Sequence, residues 1–332
     1  VKRILSILLV ATLVSSASAE FSKVGSAGAQ FLKIGVGSRY QAMGEASVAT
    51  TNDVYAMFWN PAGLAAIDKS EIGFTNVNWV LDINLNYVGF AKYFDGIGTF
   101  GVAATVLSMD KQEITTFEQQ DGTGNFYSAS SYAIGVSYAR QLTTKFAFGG
   151  TVKYVGEKIH LENAQGFGFD FGTMLNTGFR TLRMGMSITN MGPEMKFDGP
   201  DLGFSYDPQQ GQGNNSSVGA NLKTTGYDMP LTFRVGMAYD LAMGPRGNLL
   251  LAAELKHPSD NVEQGSMGAE YGFDDRFFLR GGYKLNYEEE GLSLGGGLKA
   301  NVTEGTRLLI DYSWQDFGRL EATQRFSVGF AF

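Results

Sequence analysis

The chain has 332 residues, 33 acidic against 26 basic side chains for a net charge of −7, 44 glycines, 7 prolines and no cysteine. The acidic balance excludes the basic footprint of a nucleic-acid-binding protein, and the lack of cysteine excludes disulfide staples and thiolate metal sites. Glycine at about twice its usual share, with few prolines and 13% aromatics, points to closed β-structure instead of disorder.

Residues 1–19 read as a secretory signal peptide: Lys2 and Arg3 supply the charge, Ile4 to Val14 the apolar middle, and Ala17-Ser18-Ala19 the small-residue cleavage site. The apolar run is too short for a spanning helix, which needs ~20 residues. The mature chain is expected to begin near Glu20, and no cysteine follows to carry a lipid anchor. Residues 20–68 form an N-terminal segment. Its stretch VYAMFWNPAGLA (54–65) gathers Met57, Phe58, Trp59 and Leu64 around Asn60-Pro61-Ala62-Gly63, which would stop either a strand or a helix.

From 69 to 332 the pattern is alternation. Fourteen segments are expected as strands: 70–79, 84–94, 97–109, 126–141, 144–159, 165–177, 180–192, 230–241, 247–256, 264–273, 276–285, 292–302, 305–315 and 323–332. In the last, Phe326, Val328, Phe330 and Phe332 oppose Arg325, Ser327, Gly329 and Ala331, the period of two that defines a strand. A soluble sandwich also alternates, but with shorter strands, typically ~5–6 residues. These segments match the ~9–11 residues of a tilted membrane-crossing strand. Their polar face mixes Gly, Ala and Ser with Lys153, Asp170, Arg183, Arg234, Glu254, Arg280, Lys284, Lys299, Asp311 and Arg325. That mixture suits a crowded polar lumen with cross-strand ion pairs, and the apolar face suits outer-membrane lipid.

The connections give an independent check. FDGI, LTT, TGF, AMGPRG, DD and TE are short and fall on alternate connections; longer ones such as 193–229 and the IHLENAQ stretch lie between. Short periplasmic turns and longer external loops are the outer-membrane pattern. The hairpin near Val80 to Ile83, external by parity yet short, is the exception. The fold class is therefore an all-β transmembrane antiparallel barrel of about 14 strands occupying 69–332, in the bacterial outer membrane.

Catalytic chemistry is nearly absent. His160 and His257 fall in or beside external loops, no paired ligands suggest a metal, and no nucleophile–base pair or phosphate loop is present. No catalytic residue, cofactor or metal is expected. The glycines of GFGFDFG (166–172) are expected to face the lumen, and Glu288-Glu289-Glu290 to be a solvated charge run. The long loop 193–229 carries Met195, Phe197, Leu202, Phe204 and Tyr206 among Gly, Asn and Gln. Loops of this length often carry function, so these five are candidate partner contacts.

Residues 28–65, 277–301 and 308–330 resemble the PorV/PorQ family, itself similar to FadL-type transporters of hydrophobic compounds. The most specific parts are Arg39 to Gly44, Asn60 to Leu64, and Asp311-Tyr312 to Phe317-Gly318. The resemblance implies a fourteen-stranded barrel with an N-terminal hatch inside or beneath it. On that reading Trp59, Asn60, Pro61, Ala62, Gly63 and Leu64 fold into the lumen as a hatch motif, since non-strand backbone at membrane depth is tolerated where protein surrounds it. It also implies a non-enzymatic role in type IX secretion, binding secreted cargo proteins and passing them to surface-attachment machinery. The alternative is a FadL-like uptake channel for hydrophobic small molecules.

Overall fold

The computed structural model describes residues 24–208 and 217–332; the expected signal peptide lies outside the described residues. Fourteen strands form the barrel: β1 (Glu71–Asn78), β2 (Asn84–Phe94), β3 (Gly98–Ser108), β4 (Ala129–Gln141), β5 (Phe146–Ile159), β6 (Glu162–Asn176), β7 (Arg183–Met191), β8 (Thr232–Ala242), β9 (Gly247–Pro258), β10 (Gln264–Phe273), β11 (Phe277–Leu285), β12 (Leu292–Thr303), β13 (Thr306–Asp316) and β14 (Ala322–Ala331). Each pairs antiparallel with its neighbours in this order, and β1 meets β14 in register from Glu71↔Ala331 to Asn78↔Gln324. Closure leaves no open edge, which is what lets a sheet stand in hydrocarbon.

Burial is inside-out relative to a soluble protein. Ile72, Phe74, Phe90, Val136, Phe148, Phe171 and Leu279 are exposed on the outer face, while Arg234, Glu254, Glu270, Arg280, Lys284 and Arg325 are buried within. A two-sheet sandwich would reverse both sets. Short turns lie at the end of the barrel that carries the start of β1 and the end of β14, which makes that end periplasmic.

Two connections differ from the sequence reading or stand out against it. The IHLENAQ stretch is not a loop: β5 and β6 stay paired to Ile159↔Glu162 and turn through His160 and Leu161. Polar residues there belong to strand ends standing clear of lipid, where alternation carries no signal. The short connection after β1 is as short as the sequence suggests, closed by a Trp79 N–H to Ile83 carbonyl bond of 2.9 Å and by Trp79 packed edge-on against Phe317 at 5.0 Å.

Residues 29–67 lie inside the cylinder. They make a 3₁₀ turn (Gln30–Lys33), helix α1 (Ser38–Ala42), helix α2 (Ala56–Trp59) and a second 3₁₀ turn (Pro61–Ala66). None is long enough to be stable alone, so packing holds them. Helix α1 rests on β11–β14 and the Pro61–Ala66 turn on β3–β6, so the segment bridges the lumen. The apolar core sits here, with Phe31, Tyr40, Tyr55, Trp59 and Leu64 against Val77, Leu85 and Tyr87 of the wall. Inward glycines permit the fit: a Cβ at Gly149 would stand 2.5 Å from the Pro61 carbonyl carbon, and one at Gly295 would stand 2.5 Å from the Ala42 methyl.

Candidate functional site: the filled lumen and the external rim

The stretch around Asn60 is ordered by one side chain. Asn60 accepts from the Ala62 N–H at 3.2 Å, capping the second 3₁₀ turn with Pro61 at its first position. Its amide donates to the Val48 carbonyl at 2.7 Å and to the Thr173 carbonyl of β6 at 3.1 Å. Gly63 lies so close to Thr51 that a Cβ would meet the Thr51 carbonyl oxygen at 2.6 Å. Trp59, fully buried, donates its indole N–H to the Val36 carbonyl at 2.9 Å and takes the Arg234 guanidinium over its ring at 4.9 Å. Ala62 and Leu64 are buried alongside. All six residues of the motif thus come together inside the wall.

Buried charge fixes the rest. Arg39 forks onto Glu270 of β10 with two bonds of 2.9 Å, and Glu270 also takes Arg280 at 2.5 Å, which reaches on to Asp311 at 2.5 Å. Glu254 of β9 accepts the backbone N–H groups of Ser47 and Val48 at 2.8 Å each and Arg234 at 3.3 Å. Lys284 of β11 joins Glu45 at 2.7 Å and Glu290. Arg325 of β14 donates to the Gly35 carbonyl at 3.1 Å, Gln41 pairs with Gln315, and Ser38 meets Ser327 at 2.9 Å. A charge-assisted bond contributes about 1.5–3 kcal/mol net, so the segment is locked to the wall at several points.

The remaining room is unevenly divided. One cavity, between Leu32, Met57, Phe58 and Tyr87 on one side and Lys153, Asp170 and Arg234 on the other, encloses about 40 Å³, enough for a few waters. A polar vestibule of about 360 Å³ opens at the periplasmic end, lined by Arg39, Asp53, Glu270, Lys299 and Arg307.

The external candidates divide. Met195 is fully buried, covering Gly166 of β6, and its backbone pairs with Tyr227. Phe197 stacks on Tyr227 at 5.7 Å. Leu202 accepts from the Leu222 N–H at 2.8 Å, at the root of a hairpin (Gly203–Tyr206 with Val218–Asn221) that holds Phe204 and Tyr206 out, 45% and 53% exposed. The first two belong to packing and the last two to the surface. The acidic run is not merely solvated: Glu289 holds Arg319 and Glu290 holds Lys284. Arg39, Glu45, Glu270 and Asp260 carry the anchoring, and the sequence reading assigned them no such role. The wall charges were visible as polar residues on an alternating face, but nothing local pairs them with the N-terminal segment.

A closed fourteen-stranded antiparallel barrel, apolar outside and charged within, is an outer-membrane β-barrel protein. The chain belongs to the PorV family: the family model, described as type IX secretion system protein PorV, matches residues 17–256, more than half of its length. No curated protein sequence is similar enough to count as a relative. Among solved structures the chain is similar to the toluene transporter TodX of Pseudomonas putida (14% identity, TM-score 0.57, 90% of this chain and 97% of that one). It is similar also to a Pseudomonas aeruginosa FadL homologue (13%, 0.55, 90% and 98%) and to the toluene transporter TbuX of Ralstonia pickettii (14%, 0.55, 90% and 97%). At these identities the likeness is one of fold.

Proposed function

We propose that this outer-membrane protein is a non-enzymatic docking barrel of type IX secretion, which binds secreted cargo proteins at its external rim and passes them to the surface-attachment machinery. The observation that carries this reading is the filled lumen. With residues 29–67 bonded across it and only about 40 Å³ open at its centre, apart from the periplasmic vestibule, the segment acts as a hatch that stays shut, and a protein partner meets the rim and not the channel. Exposed Phe204 and Tyr206, and Phe117 at 90% exposure, offer apolar contacts on the external loops. The FadL-like uptake reading draws on fold alone: the central cavity of about 40 Å³ is far below the ~300–1,000 Å³ of usual small-molecule sites, and the periplasmic vestibule of about 360 Å³ is lined largely by charged groups. The test is affinity purification of the tagged protein from native outer membrane. Recovery of secreted proteins sharing a C-terminal domain, lost on Phe204→Ser/Tyr206→Ser, is the expected result. Intact secretion in a deletion strain that has lost uptake of hydrophobic compounds would favour the transport reading.

A further inference from the structure

We infer that the inner segment is threaded through the full height of the barrel with its N-terminal end at the external mouth, so that residues 24–28 form part of the cell-surface face. The two ends are placed independently. Ala27 bridges Asp228 in parallel, and the Gly28 N–H donates to the Asp228 carbonyl at 3.0 Å. Asp228 lies between β7 and β8, a connection of the external set. Gln30 and Lys33 both reach Asp260, at 2.7 and 2.9 Å, in the external connection between β9 and β10. At the other end, Ser70 and Phe332 exchange backbone bonds of 3.0 and 2.9 Å where β1 starts and β14 stops, on the periplasmic side. Between these ends the chain descends from Gly35 on Arg325 to Arg39 on Glu270, turns back through Glu45 on Lys284 and Ser47 and Val48 on Glu254, and descends again to Val54 on Glu71.

Anchoring is uneven along this path. From Gln30 onward the segment is held by the Lys33–Asp260, Arg39–Glu270 and Glu45–Lys284 ion pairs and by Glu254 on its backbone. Ahead of Gln30, residues 27–29 are held by a clasp: Tyr227 lies over Gly28, its hydroxyl donates to Glu157 at 2.7 Å, and the same carboxylate accepts the Ala29 N–H at 3.1 Å. Residues 24–29, ahead of the Gln30 and Lys33 bonds to Asp260, are thus the part that can open without unseating the rest. A side chain at Gly28 would collide with the Tyr227 ring and force the clasp apart.

The chain has no cysteine, so single-cysteine labelling is clean. Val24→Cys (Val24 is 54% exposed) is treated on intact cells with a membrane-impermeant maleimide, beside Phe117→Cys in an external loop and Glu304→Cys in a periplasmic turn. Val24→Cys should label as Phe117→Cys does, and Glu304→Cys only after the outer membrane is permeabilised. If Val24→Cys stays unlabelled on cells where Phe117→Cys reacts, the threading is wrong. Adding Gly28→Trp should speed labelling at Val24→Cys while Ser38→Cys stays protected; exposure of both together overturns the separable clasp. Labelling reads topology alone, so its outcome is independent of the secretion role.

Discussion

The Asn60 side-chain amide serves three backbone groups, the Ala62 N–H and the Val48 and Thr173 carbonyls. Asn60→Ala removes a cap worth about 1 kcal/mol and strands one buried acceptor, the Val48 carbonyl, at about 1–3 kcal/mol, while Thr173 stays in its paired strand. A loss of about 2–4 kcal/mol is expected, read from the urea midpoint of the barrel in detergent.

At the scale of elements, the loop between β7 and β8 is two things in one connection. Its base, 193–198 with 226–231, is a packed flap over the lumen; its tip is an exposed hairpin. Met195→Ala should lower barrel stability by about 2–5 kcal/mol, the usual range for a buried methionine. Phe204→Ser with Tyr206→Ser should leave stability unchanged, since surface substitutions stay within about 0.5 kcal/mol, and should weaken cargo recovery. Sequence alone grouped all five apolar residues of this loop, because composition cannot tell an apolar side chain that folds back from one that reaches outward.

For the whole molecule, the barrel and its contents are one structure. Ser327 of β14 meets both Ser38 of α1 and Thr75 of β1, at 2.9 and 2.8 Å, so the closing seam is built around the segment. The purified protein should show no steady conductance in planar bilayers, and removal of residues 24–66 should open an ion-conducting pore. A closed barrel after that deletion would mean that the loops, not the segment, seal it. Arg39→Ala should cost about 2–3 kcal/mol, below the ~3–5 kcal/mol of a fully orphaned buried charge, because Glu270 keeps Arg280.

The sequence by itself determined the wall. Alternation sets which face each strand turns outward, and alternating loop length sets which end is which; both are local, readable from residues two to twenty apart. The inward glycines and wall charges were legible as types, not as partners. Only the tertiary structure decided what those groups hold, because the contacts join residues far apart in the chain: Arg39 and Glu270 are separated by 231 positions, Glu45 and Lys284 by 239. The path of residues 24–67 through the lumen has the same origin. A segment with no period of its own takes its shape from the cavity it fills.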